Sequence, residues 1–247
     1  MIGGKPGRPG ELRRVGGKPA ANKILLSLPK PEFLSICNSL EYVDLPRHAI
    51  LHEPSKELDF VYFSNGGLIS LVVAMEDGKT VEAGVVGKEG VVGTPLAVGL
   101  HRTPLRAIVQ IPSSGFRIRA AALQAALPNA AEFQMTLSRY AVIQGLQVSQ
   151  TAACNRLHDV EQRLSRWLLM AVDRVYADLL PVTHDFLATL LGTDRPSVTL
   201  AAGVLQKKRA IEYTRGTVKV LNRATLQDSA CECYRVIQNL DGELGLP

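Results

Sequence analysis

The stretch Pro181-Val-Thr-His-Asp-Phe-Leu-Ala-Thr-Leu-Leu-Gly-Thr-Asp-Arg-Pro-Ser-Val-Thr-Leu-Ala-Ala-Gly-Val-Leu205 reads as two short helices joined by a tight turn. Thr183 supplies a capping oxygen for the first helix, and Leu187, Leu190 and Leu191 give it a buried face. Gly192 stops it where a left-handed residue is wanted. Asp194 caps the second helix, and Pro196 falls in its first turn, where the missing N–H costs nothing. Val198, Ala201, Ala202 and Leu205 form the second helix's core stripe, and the two alanines permit close helix–helix approach. This is helix-turn-helix logic, in which the second helix offers its N-terminal residues to the major groove of DNA.

Immediately downstream, Ala210-Ile-Glu-Tyr-Thr-Arg-Gly-Thr-Val-Lys-Val-Leu-Asn222 alternates apolar and polar residues on either side of Thr214-Arg215-Gly216. That pattern predicts a hairpin, or wing, with a basic tip. Arg195, Ser197 and Thr199 are the polar residues left to meet base edges. Thr183, Lys207, Lys208 and Arg215 are expected at phosphates, the two lysines because they sit at the far end of the reading helix.

Charge placement agrees. The formal net charge is +5, and Arg195 to Arg223 holds seven basic residues against Glu212 alone. Met1 to Lys23 holds six against Glu11. Local excesses of this kind attract polyanions by releasing condensed counterions. No apolar run approaches the roughly 20 residues that span a bilayer, and no apolar stretch follows the basic N-terminus as a signal peptide requires. A cytoplasmic protein without membrane partners is expected.

Upstream, residues 1–22 are rich in Gly, Pro and basic residues and read as a disordered tail. Ile24 to Leu40 reads as a helical entry. From Tyr42 to Ile118 short β-branched runs (Phe60–Phe63, Leu68–Ala74, Val81–Val86, Ala107–Ile111) are punctuated by Asn65-Gly66-Gly67 and Asp77-Gly78, which suit tight hairpins. Many short strands so spaced indicate an antiparallel roll or barrel. Gly84, Gly87, Gly90 and Gly93 match neither a dinucleotide fingerprint nor a P-loop. They read as sharp strand turns, with a loop opening onto a ligand pocket as the alternative.

Beyond Arg119 the period turns helical. Pro128 restarts the chain into a long helix from about Asn129 to Ala153, with Phe133, Leu137, Tyr140, Gln144 and Val148 along one face. That stripe suits a helix–helix seam between two copies; packing on its own domain is the alternative. Arg156–Tyr176 is an amphipathic helix whose other face holds Glu161, Arg163, Arg166 and Asp173.

With these features in place the chain resembles the Crp/Fnr family of bacterial regulators across nearly all of Ile24 to Leu240. The resemblance is carried by Glu161-Gln-Arg-Leu-Ser-Arg-Trp-Leu-Leu-Met170, by Leu187 to Thr199, and by Tyr62-Phe63 with Gly87-Lys-Glu-Gly-Val-Val-Gly93. It implies an α+β chain with an N-terminal cyclic-nucleotide-binding-like β-roll (residues 23–127), a dimerisation helix (128–154) and a C-terminal winged helix-turn-helix (155–247). It further implies a homodimer on two-fold symmetric double-stranded DNA, regulating transcription, with RNA polymerase as a further expected partner.

The sensing half departs from the family's cyclic-AMP pattern. Gly93 is followed by Thr94 and Pro95 instead of a carboxylate, and Arg106 stands in Leu105-Arg106-Ala107 instead of Arg-Ser. Gly93, Thr94 and Arg106 remain as a candidate effector pocket, and no cofactor is assigned. The reading helix holds Pro196 and Leu200 where the family commonly has Glu and Arg, so a different DNA sequence is expected. His48, His52 and His101 are scattered and read as ordinary histidines. Cys37, Cys154, Cys231 and Cys233 lack zinc or disulfide spacing. Cys231 and Cys233 form a C-x-C that can bind metal, but two adjacent thiols on a C-terminal helix is the expectation, and no metal site is assigned. No motif of hydrolytic or nucleophilic catalysis is present. The open alternatives are a roll that serves only as scaffold or partner platform and, with no motif to support it, an enzyme.

Overall fold

The computed structural model describes residues 13–246. In chain order the elements are β1 (Arg14–Val15), β2 (Lys18–Pro19), α1 (Lys23–Ser27), α2 (Lys30–Cys37), β3 (Leu40–Leu45), β4 (Ile50–His52), β5 (Phe60–Ser64), β6 (Leu68–Ala74), β7 (Thr80–Val86), β8 (Leu105–Ile111), β9 (Ser113–Arg119), α3 (Ala120–Ala126) and α4 (Ala131–Leu157). There follow α5 (Val160–Val175), β10 (Leu179–Leu180), α6 (His184–Leu191), α7 (Arg195–Lys207), β11 (Ile211–Thr214), β12 (Thr217–Val220), α8 (Arg223–Asp228) and α9 (Cys233–Gly242). Among the described residues no helix is long and apolar enough to cross a membrane.

Two antiparallel sheets, β3-β9-β5 and β4-β8-β6-β7, form the roll. Alternation along each strand sends one set of side chains inward. Leu45, Ile69, Leu71, Val86, Val92, Ala107 and Val109 fill the space between the sheets. The opposite face of β6 presents Leu68 and Val72 to Trp167 and Leu168 of α5, so the sheet is covered on both sides. Asp77-Gly78 closes the β6–β7 hairpin as expected, with Gly78 at φ 83°. Asn65-Gly66-Gly67 does not make a hairpin. It carries the chain from one sheet to the other, since β5 pairs with β9 and β6 with β7 and β8.

The expected tail is corrected where it can be described. Residues 1–12 lie outside the described residues, but 13–22 are ordered. β1 and β2 pair as a hairpin, Val15 and Ala20 are buried, and Asn22 caps α1 while its amide donates to the carbonyls of Ser64 and Gly90. The basic residues hid these few apolar anchors. Pro29 splits the expected helical entry into α1 and α2.

The long helix is present, but its predicted seam faces inward. Phe133, Leu137 and Tyr140 are buried against the chain's own roll. Gln144 accepts a hydrogen bond from the Thr94 hydroxyl at 3.1 Å. The outward stripe lies beside it, at Met135, Arg139, Val142, Leu146, Ser149 and Ala153, and alternates by four and three. Met135, Val142 and Leu146 are each about half exposed or more.

Helix α5 also differs from its reading. Its polar face is not solvated: Arg163, Arg166 and Arg174 are all buried. Arg174 pairs with Glu89 at 2.9 Å and with Asp241 at 3.1 Å. Arg163 donates to the Leu191 carbonyl at the end of α6. The C-terminal helix then returns to the roll, where Leu244 joins the cluster built on Ile24, Phe63 and Phe133. Residues 155–246 are therefore packed against the roll at both ends.

Candidate nucleic-acid interface

The helix-turn-helix forms as the sequence dictates. Thr183 Oγ1 accepts from the Phe186 N–H at the start of α6, and Gly192 ends that helix at φ 59°. Asp194 Oδ1 accepts from the Ser197 N–H at 2.8 Å at the start of α7. That bond, with the Ser197 hydroxyl, holds the Asp194 carboxyl below the usual range. Val198, Ala201, Ala202 and Leu205 are buried in the core that α7 shares with α5 and α6. The opposite face of α7 is open, and presents Arg195, Pro196, Thr199, Leu200, Val204 and Lys207.

The predicted base-contacting residues divide. Arg195 is exposed and its guanidinium lies 3.4 Å from Asp185 on α6, a solvent-screened pair that polyanion can displace. Thr199 is exposed, with its hydroxyl between the Arg195 carbonyl and His184 Nδ1, 3.0 Å from each. Ser197 is committed elsewhere, because its hydroxyl donates to Asp194 Oδ2 at 2.9 Å.

The phosphate candidates divide in the same way. Arg215 is exposed at the wing tip, between β11 and β12, where Gly216 takes φ 79°. Lys207 is exposed on the last turn of α7. Lys208 is drawn back to Glu161 on α5 at 2.5 Å, so it ties the reading helix to its support. Thr183 is exposed, with its hydroxyl oxygen already capping α6.

Two features escaped the sequence reading. His184 stacks on Tyr213 of the wing with ring centroids 3.9 Å apart, and Gln206 Oε1 accepts from the Tyr213 N–H at 2.8 Å. These contacts fix the wing against α6 and α7. Burial, with the charge of Arg195 adding, lowers the His184 pKa. The wing also gains a third strand, β10, paired to β12. Leu200 and Val204 place an apolar patch in the middle of the reading face, with Leu200 73% exposed.

The effector-pocket candidates do not converge. Leu105, Ala107 and Val109 point into the roll, so Arg106 points out of it and pairs with Glu53 at 2.7 Å. Thr94 turns to α4 through Gln144. Gly93 takes φ 98°, and a Cβ there would crowd the Phe60 carbonyl. Among the scattered histidines, His48 takes φ 66° in a turn, and burial lowers the pKa of His52.

The cysteines are the largest departure. Cys154 near the end of α4 meets Cys231 and Cys233 at the start of the C-terminal segment, and His158 completes the group. All three sulfurs belong to buried residues. The Cys231 thiol, with the charge of Arg166 adding, holds Cys154 well below the usual thiol range.

The sequence of residues 162–229 matches the family model for a Crp-like helix-turn-helix domain. No curated protein matches the chain. Among solved structures, FixK2 from Bradyrhizobium japonicum superposes with a TM-score of 0.67 at 15% identity, over 78% of this chain and 98% of that one. The c-di-GMP responsive global regulator CLP of Xanthomonas campestris gives 0.65 at 17% identity, over 78% and 99%. A CRP-family transcriptional regulator of Thermus thermophilus gives 0.63 at 18% identity, over 76% and 96%. At such identities the likeness is one of fold.

Proposed function

We propose, from the premise that this chain is a Crp/Fnr-type transcription regulator with a helix-turn-helix DNA-binding domain, that it acts as a homodimer on a two-fold symmetric DNA site. The observation that carries this reading is the open face of α7, held on a buried core and flanked by Arg215 of the wing. Arg195 suits guanine O6 and N7, and Thr199 suits several base edges. Leu200 and Val204 suit thymine methyl groups, which are the apolar feature of the major groove. Lys207 and Arg215 supply phosphate contacts that set register without reading sequence.

The second copy docks along the outward stripe of α4. Met135, Val142, Leu146 and Ala153 recur at coiled-coil spacing, and α4 is long enough to carry the seam. Such a dimer would have to hold its two reading helices about 34 Å apart, one turn of DNA, to enter successive major grooves. RNA polymerase is the further partner such a regulator would meet on a promoter.

For the roll, two readings stand: a sensor of an unidentified signal, or a scaffold that holds the dimer. The scaffold is favoured by the interior itself, which is filled with apolar side chains while Arg106 points away from it. Saturable shifts in melting temperature with cyclic mono- or dinucleotides would restore the sensor.

The test of the main reading is selection of binding sites from a random DNA pool with purified protein, followed by salt titration of the best site. A palindromic site bound selectively by the wild type and lost in Arg195→Ala, with non-specific binding retained, is expected. Binding without sequence preference, or none at low salt, would refute it.

A further inference from the structure

Cys154, His158, Cys231 and Cys233 each offer one ligand atom, and the four atoms lie within 4.8 Å of one another. Two edges of this group are resolved: Cys154 Sγ to Cys231 Sγ at 3.5 Å, and Cys233 Sγ to His158 Nδ1 at 3.6 Å. A tetrahedral zinc ion, with Zn–S about 2.3 Å and Zn–N about 2.0–2.1 Å, needs edges of ~3.8 Å between sulfurs and ~3.6 Å between sulfur and nitrogen. A polynuclear cluster, which spreads its ligands over separate iron atoms, needs a wider cage than this group encloses.

The surroundings point to a ligand independently. The outer nitrogen of His158, Nε2, lies 3.3 Å from the Glu232 carboxylate. A metal-bound histidine is normally oriented in this way, its second N–H given to a carboxylate. Gln150 Nε2 donates to Cys233 Sγ at 3.0 Å, a bond suited to a thiolate. Cys154, Cys231 and Cys233 are at most 4% exposed, whereas the His158 side chain is 17% exposed and leaves an entry path at the rim. The three sulfurs form a buried cluster of their own, apart from the hydrophobic cores.

We propose that these four residues form a closed site, three thiolates and one imidazole, for a single borderline-soft divalent cation, zinc being the natural occupant. Each cysteine gives its thiol proton to solvent as it ligates, and His158 binds through neutral Nδ1. The ion joins the last turns of α4 to the segment that opens α9, so it staples the long helix to the C-terminal end of the DNA-binding half. The site does not depend on any reading of the DNA interface or of the roll.

The test uses the full chain purified under reducing conditions without chelators or metal-affinity resin. Mass spectrometry of the metal content should find about one zinc per chain, as a single four-ligand site requires. Cys154→Ser and Cys233→Ser should each lose it, and Cys37→Ser, on α2, should keep it. Because those variants can fail to fold, the wild type is also stripped with chelator and titrated with cobalt. Intense visible d–d bands and thiolate-to-cobalt charge transfer, bleached by stoichiometric zinc, are expected of tetrahedral ligation by three sulfurs and one nitrogen. No metal on isolation together with no tetrahedral cobalt spectrum would overturn the site. A brown protein with acid-labile sulfide, or a Cys154–Cys231 disulfide in the reduced preparation, would overturn the single-ion assignment.

Discussion

The indole N–H of Trp167 on α5 donates to Oε1 of Glu82 on β7 at 2.7 Å, and thereby links the DNA-binding half to the roll through a buried carboxyl. The Ser70 hydroxyl donates to the other oxygen. Burial pushes the Glu82 pKa from 4.5 up to about 7, outweighing these hydrogen bonds and the charges of Arg166 and Arg174.

A raised carboxyl pKa means that the folded chain binds this proton more tightly than the unfolded chain. Its stabilisation is complete below about 4.5 and is lost as pH rises through about 7, for a total of about 3 kcal/mol. Glu82→Gln keeps an acceptor for Trp167 and removes the titration. Urea unfolding from about pH 4.5 to 7.5 should show the wild type losing stability relative to Glu82→Gln across that window. Parallel curves would refute the assignment.

Leu200 is free of the core, so Leu200→Ala should change folding stability by less than about 0.5 kcal/mol. On the selected DNA site it should cost about 1–2 kcal/mol, the apolar area of two to three lost carbon groups in partial contact. Replacing thymine by uracil at the contacted position removes the methyl group and should cost a similar amount. The two losses should not add when combined. Additive losses in fluorescence anisotropy titrations would place Leu200 away from that base.

The two stripes of α4 make opposite predictions. Leu146→Glu acts on the outward stripe and should convert dimer to monomer in sedimentation velocity, leaving the protomer folded. Leu137→Ala acts on the buried stripe, where Leu137 is 1% exposed, and should cost about 2–5 kcal/mol of protomer stability. A dimer that survives Leu146→Glu would move the interface elsewhere.

These stripes also show where sequence reading stops. The turn between α6 and α7 was legible because Gly192, Asp194 and Pro196 act within a few residues of their own position. The wing was legible for the same reason, its tip being Arg215-Gly216 between alternating strands. In α4, both Phe133-Leu137-Tyr140 and Met135-Arg139-Val142 alternate by four and three, and only the position of the roll decides which is covered. The buried arginines of α5 look like a solvated face until distant segments arrive, Leu191 at Arg163, Thr151 at Arg166, and Glu89 with Asp241 at Arg174. The cysteine group is the extreme case, since Cys154 and Cys231 are separated by 77 residues and meet only in the fold.

The glycine series gives a last test, at the point where α4 crosses the roll. Gly90 lies against the hydroxyl end of the Tyr140 ring, and a Cβ added at Gly90 would overlap the phenol oxygen and the ring edge beside it. The Gly90 carbonyl also accepts from Asn22 Nδ2 at 2.8 Å, so the loop cannot simply retreat. Gly90→Ala should therefore cost about 1–3 kcal/mol by overpacking. Tyr140→Ala should cost about 3–5 kcal/mol through its cavity. With the ring gone the alanine methyl has room, so the double variant should be more stable than the sum predicts, by about 0.5–3 kcal/mol. Guanidinium unfolding of the four proteins measures this coupling directly. A value near zero would mean that the helix does not press on the loop at Gly90.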